Sequence, residues 1–184
     1  IPSNVDIVQI PDSIKNIGFN INEIRNDKQL EIESNPSTNV FISSTENSKL
    51  DLKVQPDNNN INFEGNGELS FKPSKASDNI LIKQLKPAGE EGITLKSADS
   101  NLIIDTLDIF GTTKVNGQNE GDKKTKCKNL LLEGGSDFTP HHISFTDNIK
   151  IGLNSVLHLD SEDVDVSNSA FVIKYNRTQY SSKS

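Results

Sequence analysis

The feature that most constrains this chain is a recurring tetrad: asparagine, an apolar residue, any residue, then a second apolar residue. It occurs as Asn4-Val5-Asp6-Ile7, Asn16-Ile17-Gly18-Phe19, Asn39-Val40-Phe41-Ile42 and Asn60-Ile61-Asn62-Phe63. It returns as Asn79-Ile80-Leu81-Ile82, Asn101-Leu102-Ile103-Ile104, Asn129-Leu130-Leu131-Leu132 and Asn148-Ile149-Lys150-Ile151. From Asn16 onward the steps are 23, 21, 19, 22, 28 and 19 residues. A second alternating tract sits between these: Leu30-Glu31-Ile32, Leu50-Asp51-Leu52, Leu69-Ser70-Phe71 and Ile93-Thr94-Leu95. The unit is thus a strand, a polar turn, Asn, a second strand and another polar turn.

Alternation with period two puts one set of side chains on a common face, and Val, Ile and Phe suit a pleated surface. A unit of this size cannot bury that face alone, so successive units must stack into a continuous core. The expected fold is therefore all-β, a parallel β-helix or β-solenoid with coils of about 19–24 residues. The competing architecture is an antiparallel β-sandwich, which short strands at regular spacing also describe. Two alternating strand types and few Asn-Gly or Asp-Gly hairpin dipeptides favour the solenoid. Asn39, Asn60, Asn79 and Asn101 read as turn residues that stack into side-chain ladders, because Asn tolerates left-handed backbone and bonds its own turn.

With 184 residues, residues 1–184 read as a single solenoid domain. The absence of Met makes a processed product, or a segment of a larger surface protein, the expectation. Pro11-Asp12-Ser13 opens a short stretch with a plausible cap, where a capping turn is expected. Residues 111–128, rich in Gly, Asn, Lys and Thr, read as a long exposed loop. Further on, Ile143/Phe145, Ile149/Ile151, Leu157/Leu159, Val164/Val166 and Phe171/Ile173 follow closely enough for three short strands per coil. Residues 178–184 form a polar tail expected to fray.

A net charge of −7 without a basic aromatic patch excludes nucleic acid as the expected partner. No apolar run is long enough for a transmembrane segment. The single cysteine, Cys127, rules out an intrachain disulfide and a thiolate metal cage, and reads as an incidental loop thiol.

The densest carboxylate run, Asp160-Ser161-Glu162-Asp163-Val164-Asp165, supplies the binding candidates Asp160, Glu162, Asp163 and Asp165. Hard carboxylate oxygens suit Ca²⁺, yet the glycine-containing calcium loop is missing, so a solvated polar face is the plainer reading and no cofactor or metal ligand is assigned. Asp163 and Asp165 are expected on one strand face, flanking an inward Val164. His141 and His142 are expected on opposite faces of a strand, and His158 faces outward. No Asp-Asp pair, Asp-His grouping or G-x-S-x-G element stands out, so no catalytic residue is assigned. Asn176-Arg177-Thr178 is a glycosylation acceptor if the chain passes through a eukaryotic secretory pathway.

The stretch from Asn60 to Phe71, Asn-Ile-Asn-Phe-Glu-Gly-Asn-Gly-Glu-Leu-Ser-Phe, resembles the coils of surface-exposed β-helix proteins such as autotransporter passengers and polymorphic outer-membrane-type adhesins. The likeness covers most of the chain in period and rests on no diagnostic motif; the tetrapeptide signature of the polymorphic family is missing. It implies an extracellular or cell-surface protein with an adhesive or structural role. The expectation is a non-enzymatic surface β-solenoid that meets a glycan or a host or partner protein, with contacts centred on Thr112–Lys128. The competing expectation is a polysaccharide-binding or polysaccharide-degrading β-helix protein, and end-to-end self-association is a third.

Overall fold

A computed structural model describes residues 5–20, 29–33, 37–44, 48–54, 60–73, 79–97, 100–120, 123–173 and 179–181. Among them are two parallel sheets and no helix. Sheet A stacks β1 (Val5–Gln9), β3 (Gln29–Glu33), β5 (Ser48–Val54), β7 (Gly67–Pro73), β9 (Ile93–Lys96), β11 (Thr112–Asn116), β14 (Asp137–His141), β16 (Val156–His158) and β19 (Gln179–Ser181) in that order. Sheet B begins with β2 (Asn16–Asn20), β4 (Asn39–Ser43), β6 (Ile61–Gly65), β8 (Ile80–Pro87) and β10 (Leu102–Ile109). It continues through β13 (Lys123–Leu132) to β15 (Ile143–Ile151), against which both β17 (Val164–Asp165) and β18 (Ala170–Ile173) pair. The chain alternates between the sheets, and each strand pairs with its counterpart one coil away. The β-solenoid is therefore the fold, since a sandwich would pair these strands antiparallel.

The two tracts of the repeat map onto the two sheets. The tetrads from Asn16 to Asn101 lead into β2, β4, β6, β8 and β10, while Leu30, Leu50, Leu69 and Ile93 lie in β3, β5, β7 and β9. Coil length, read from paired residues, runs from 18 (Thr125 with Ile143) to 26 (Gly67 with Ile93). Three tetrads depart from the pattern. Val5 to Ile7 belong to β1 in sheet A, Asn129 pairs with Thr106, well past Asn101 in its coil, and Asn148 in turn pairs with Asn129. The 28-residue step therefore marks a change of position within the coil.

That change follows from a bend in the long strands of sheet B. Along β8 the buried residues are Ile80, Ile82, Leu85 and Pro87, so Lys83 and Gln84 face outward in succession. Asp105 and Thr106 do the same in β10, and Lys128 and Asn129 in β13. Two successive outward side chains reset the alternation and turn the strand, as a bulge does. In the last coil the two halves are the separate strands β17 and β18. This is the geometry behind the closely spaced C-terminal tracts.

Residues 111–128, expected as a loop, instead contain β11, a short β12 (Asn119–Glu120) and the start of β13. β12 pairs antiparallel with β13. The polar composition misleads here because Thr113, Gly117, Gln118 and Thr125 are buried, and the Thr125 hydroxyl accepts from the Gln118 amide at 2.7 Å. Gln118 donates to the Ser100 carbonyl at 2.8 Å and accepts from the Ser97 amide, replacing ladder partners at a corner. Cys127 lies wholly buried in β13 and is no loop thiol; burial pushes its pKa up, against hydrogen bonding to the backbone of Leu107 and Asn129.

Pro11 to Ile14 form a single turn closed by an Ile14 amide to Pro11 carbonyl bond of 3.0 Å, joining β1 to β2. Within the tail, Gln179–Ser181 pairs with β16 as β19, while residues 178 and 182–184, like Asn176, lie outside the described residues.

Asparagine ladders recur at the sheet B corners. Asn39 donates to Asn16 at 3.2 Å, Asn101 to Asn79 at 3.5 Å and Asn148 to Asn129 at 3.1 Å. The Asn60 carbonyl accepts from the Val40 amide at 2.9 Å and from the Asn62 side chain at 3.1 Å.

Two outward positions of sheet B are buried among the described residues, Asn62 and Asp108. Asp108 is 7% exposed, and its Oδ1 is enclosed without a hydrogen-bond partner. Burial first, then the neighbouring Glu133 carboxylate, raises its pKa from 3.8 to about 6, with Lys86 opposing. A carboxyl whose folded pKa is raised favours the fold below the unfolded value, and that contribution is lost as pH rises through about 6. Asp108→Asn keeps the shape and the donor toward Glu133 while removing the charge. It should stabilise the protein by about 1–3 kcal/mol at pH 7 and leave stability unchanged near pH 4. Urea unfolding across that range reads the difference, and a gain independent of pH would refute the assignment.

Candidate functional site

The outward face of sheet A carries one row of polar side chains in register. Glu68 of β7 is opposite Thr94 of β9, Thr94 is opposite Asn116 of β11, and Asn116 is opposite His141 of β14. Each alternates with a buried neighbour: Leu69, Ile93 and Leu95, Val115 and Pro140. The same period that fills the core therefore sends these four residues outward, at the strand spacing of about 4.8 Å.

The row lies in a groove. One cleft of about 410 Å³ is lined by Glu68, Thr94, Asn116 and His141, with Glu91 and Lys114 on its sides and the backbones of Gly67 and Gly92 exposed to it. A second cleft of about 350 Å³ shares Thr94, Asn116, His142 and Glu162 with the first, and extends it toward Lys96 and Gln118.

His142 forms one wall. It is the residue between β14 and β15, and it turns the corner in the left-handed region, with φ of 55°. His is among the few non-glycine residues enriched there. Its amide donates to the Glu162 carbonyl at 3.0 Å, locking this corner onto the next. The adjacent histidines thus diverge because His142 is a corner, while His141 remains in the strand row. The His142 ring lies 3.4 Å from the Asp163 carboxylate and 3.9 Å from that of Glu162, and Lys124 approaches Asp163 at 3.7 Å.

The two clefts carry three carboxylates, Glu68, Glu91 and Glu162, and two lysines, Lys96 and Lys114. Glu68 pairs with Lys96 at 2.8 Å, and Glu162 faces His142. The pKa of His141 is held below its ordinary 6.5, first by burial and then by His142 and Lys114, with Glu162 opposing. Its imidazole is consequently neutral at pH 7 and offers one donor and one acceptor. Among the described residues no three His, Cys, Asp or Glu side chains converge to hold a metal ion.

The carboxylate run does not form one site. Glu162 lines both clefts, and Asp163 stands beside His142 at a left-handed turn position, with φ of 54°. Asp165 folds onto Ser167, whose hydroxyl and amide bond it at 2.6 and 2.9 Å and lower its pKa. Asp160 is exposed and lines neither cleft. Asp163 and Asp165 therefore do not share a strand face, because Asp163 precedes β17. His158, outward as expected, bonds Asp137 at 2.7 Å.

Sequence reasoning missed Glu68, Thr94, Asn116 and His141 as a group. The available signal was the outward set of the sheet A tracts, aligned one coil at a time. No protein family, curated protein or solved structure matches this chain.

Proposed function

We propose that the chain is a non-enzymatic binding segment of a secreted or cell-surface β-solenoid, acting in adhesion by holding an uncharged, hydroxyl-rich glycan along the sheet A groove. The observation that carries this reading is the in-register row of Glu68, Thr94, Asn116 and His141. It presents a carboxylate acceptor followed by three groups that both donate and accept, at a repeat of about 4.8 Å, to a ligand lying across the strands. With three carboxylates against two lysines the groove has no excess positive charge to hold an anion, and its amide, hydroxyl and imidazole groups suit hydroxyls, which both donate and accept. No group in the row is assigned a bond-breaking role.

The test is binding of the purified chain to an array of neutral and charged glycans, with released reducing ends assayed in the same wells. Selective binding of neutral glycans without release is expected. Asn116→Ala should weaken that binding about tenfold, the loss of roughly 1.4 kcal/mol of polar contact. Binding should also fall on acidification through a pH below 6.5, as His141 gains a proton and loses its acceptor. Binding that ignores both changes would place the ligand elsewhere, and release of sugar ends would replace this reading with an enzymatic one.

A further inference from the structure

The outward face of sheet B carries a second row in register. Gly18 of β2 is opposite Phe41 of β4, Phe41 is opposite Asn62 of β6, and Asn62 is opposite Gln84 of β8, which in turn is opposite Thr106 of β10. Phe41 is 47% exposed, between the buried Val40 and Ile42. It projects from the side of the stack, because β2 and β6 pair with the two edges of its strand. A coil added at either end of a solenoid stacks on a strand edge and leaves this side uncovered.

Phe41 stands in a cleft of about 390 Å³ that Gly18, Asn62 and Gln84 also line. A further cleft of about 260 Å³ shares Asn62 and Gln84 and carries the groove on to Thr106. Packing does not require glycine at position 18, since a Cβ there would meet only the Phe41 carbonyl oxygen, at an ordinary 3.9 Å. The missing side chain instead leaves the flank of Phe41 open. Asn62 is 8% exposed, and its Nδ2 donates to the Val40 carbonyl at 3.2 Å and the Asn60 carbonyl at 3.1 Å. Both amide protons are committed, so Oδ1 remains as an acceptor held in one orientation. The charged groups of the cleft, Glu64 and Lys86, stand opposite one another and cancel.

The other apolar residues lining the cleft, Phe19, Ile42 and Phe63, belong to the inward set. Outward apolar contact is thus confined to one aromatic ring, followed by amides and a hydroxyl. That combination fits a ring with C–H bonds on one face and hydroxyls at its edge. The C–H dipoles meet the negative face of the Phe41 π-system, and an edge hydroxyl donates to Asn62. An extended peptide finds no open strand edge on β4 to pair with. We infer a second ligand site, on sheet B, that takes a neutral pyranose ring stacked on Phe41. It stands independently of the sheet A groove, and sites on two sheets would let one chain bridge two glycans.

The chain contains no tryptophan, so Phe41→Trp places a lone indole on the site as a fluorescent reporter. Titration of this variant with cellohexaose, maltohexaose and mannohexaose should shift its emission saturably with at least one of them. Adding Gly18→Leu, which fills the space beside the ring, should weaken that response about tenfold while circular dichroism stays native. Adding Asn116→Ala should leave it unchanged, so failure of this site and failure of the sheet A groove are told apart. No emission change with any of the three sugars overturns the inference, as does a response that survives Gly18→Leu or disappears with Asn116→Ala. A response to p-cresol and to none of the sugars would make the cleft a seat for an aromatic side chain, and equally overturn it.

Discussion

Phe138→Ala is expected to lower the unfolding free energy by about 3–5 kcal/mol, the largest loss from any single truncation of this core. Phe138 is fully buried in β14, where it is paired with Thr113 on one side and Leu157 on the other. A solenoid core is one coil thick, so a void in it is filled only by moving the adjacent coils, each tied to its neighbours by a parallel ladder. Urea unfolding followed by far-ultraviolet circular dichroism measures the change. Because each coil contacts only its neighbours, the loss should also broaden the transition, as the coils around β14 open before the rest. A loss below about 1 kcal/mol would mean that sheet A does not close over Phe138.

The second large effect concerns backbone spacing. Gly92 precedes β9 with φ of 62°, and a Cβ added there would stand 1.9 Å from the Lys114 carbonyl oxygen of the neighbouring coil. Gly92→Ala should therefore cost about 3 kcal/mol or more and distort the groove at its floor, since the clash is with backbone that cannot rotate away. Gly111 supplies the control. Its φ is 64°, and nothing lies within 4 Å of the position its Cβ would take. Gly111→Ala should therefore cost only the left-handed backbone penalty, about 1–2 kcal/mol. Equal losses at the two sites would show that conformation alone, not coil spacing, requires glycine at position 92.

Much of the fold was legible because its driving pattern is local. Alternation of Ile, Leu, Val and Phe fixes which side chains face inward, and a strand of five residues cannot satisfy that face without a neighbour. The recurrence of two tracts near 20 residues sets the coil, and it places Asn39 and Leu50 on different sheets. Reading failed where local composition and burial diverged. Thr113, Gln118 and Thr125 are polar yet interior, so a strand segment resembled a loop. The successive outward pair at Asp105 and Thr106 shifted the alternation by one residue, which made the later asparagines look like equivalents of the earlier ones.

By itself, then, the sequence determined the class of fold, the inward columns and the solenoid repeat, because period two and apolar content act within a few residues. Only the tertiary structure decided the site. Glu68, His141 and Glu162 share one groove because register across several coils brings them together, and register depends on the summed lengths of every turn between them. It likewise decided that Asp108 is buried beside Glu133 and that Phe19 and Phe171 lie in the same inward column. Such proximity is a property of stacked coils, and no short window of sequence contains it.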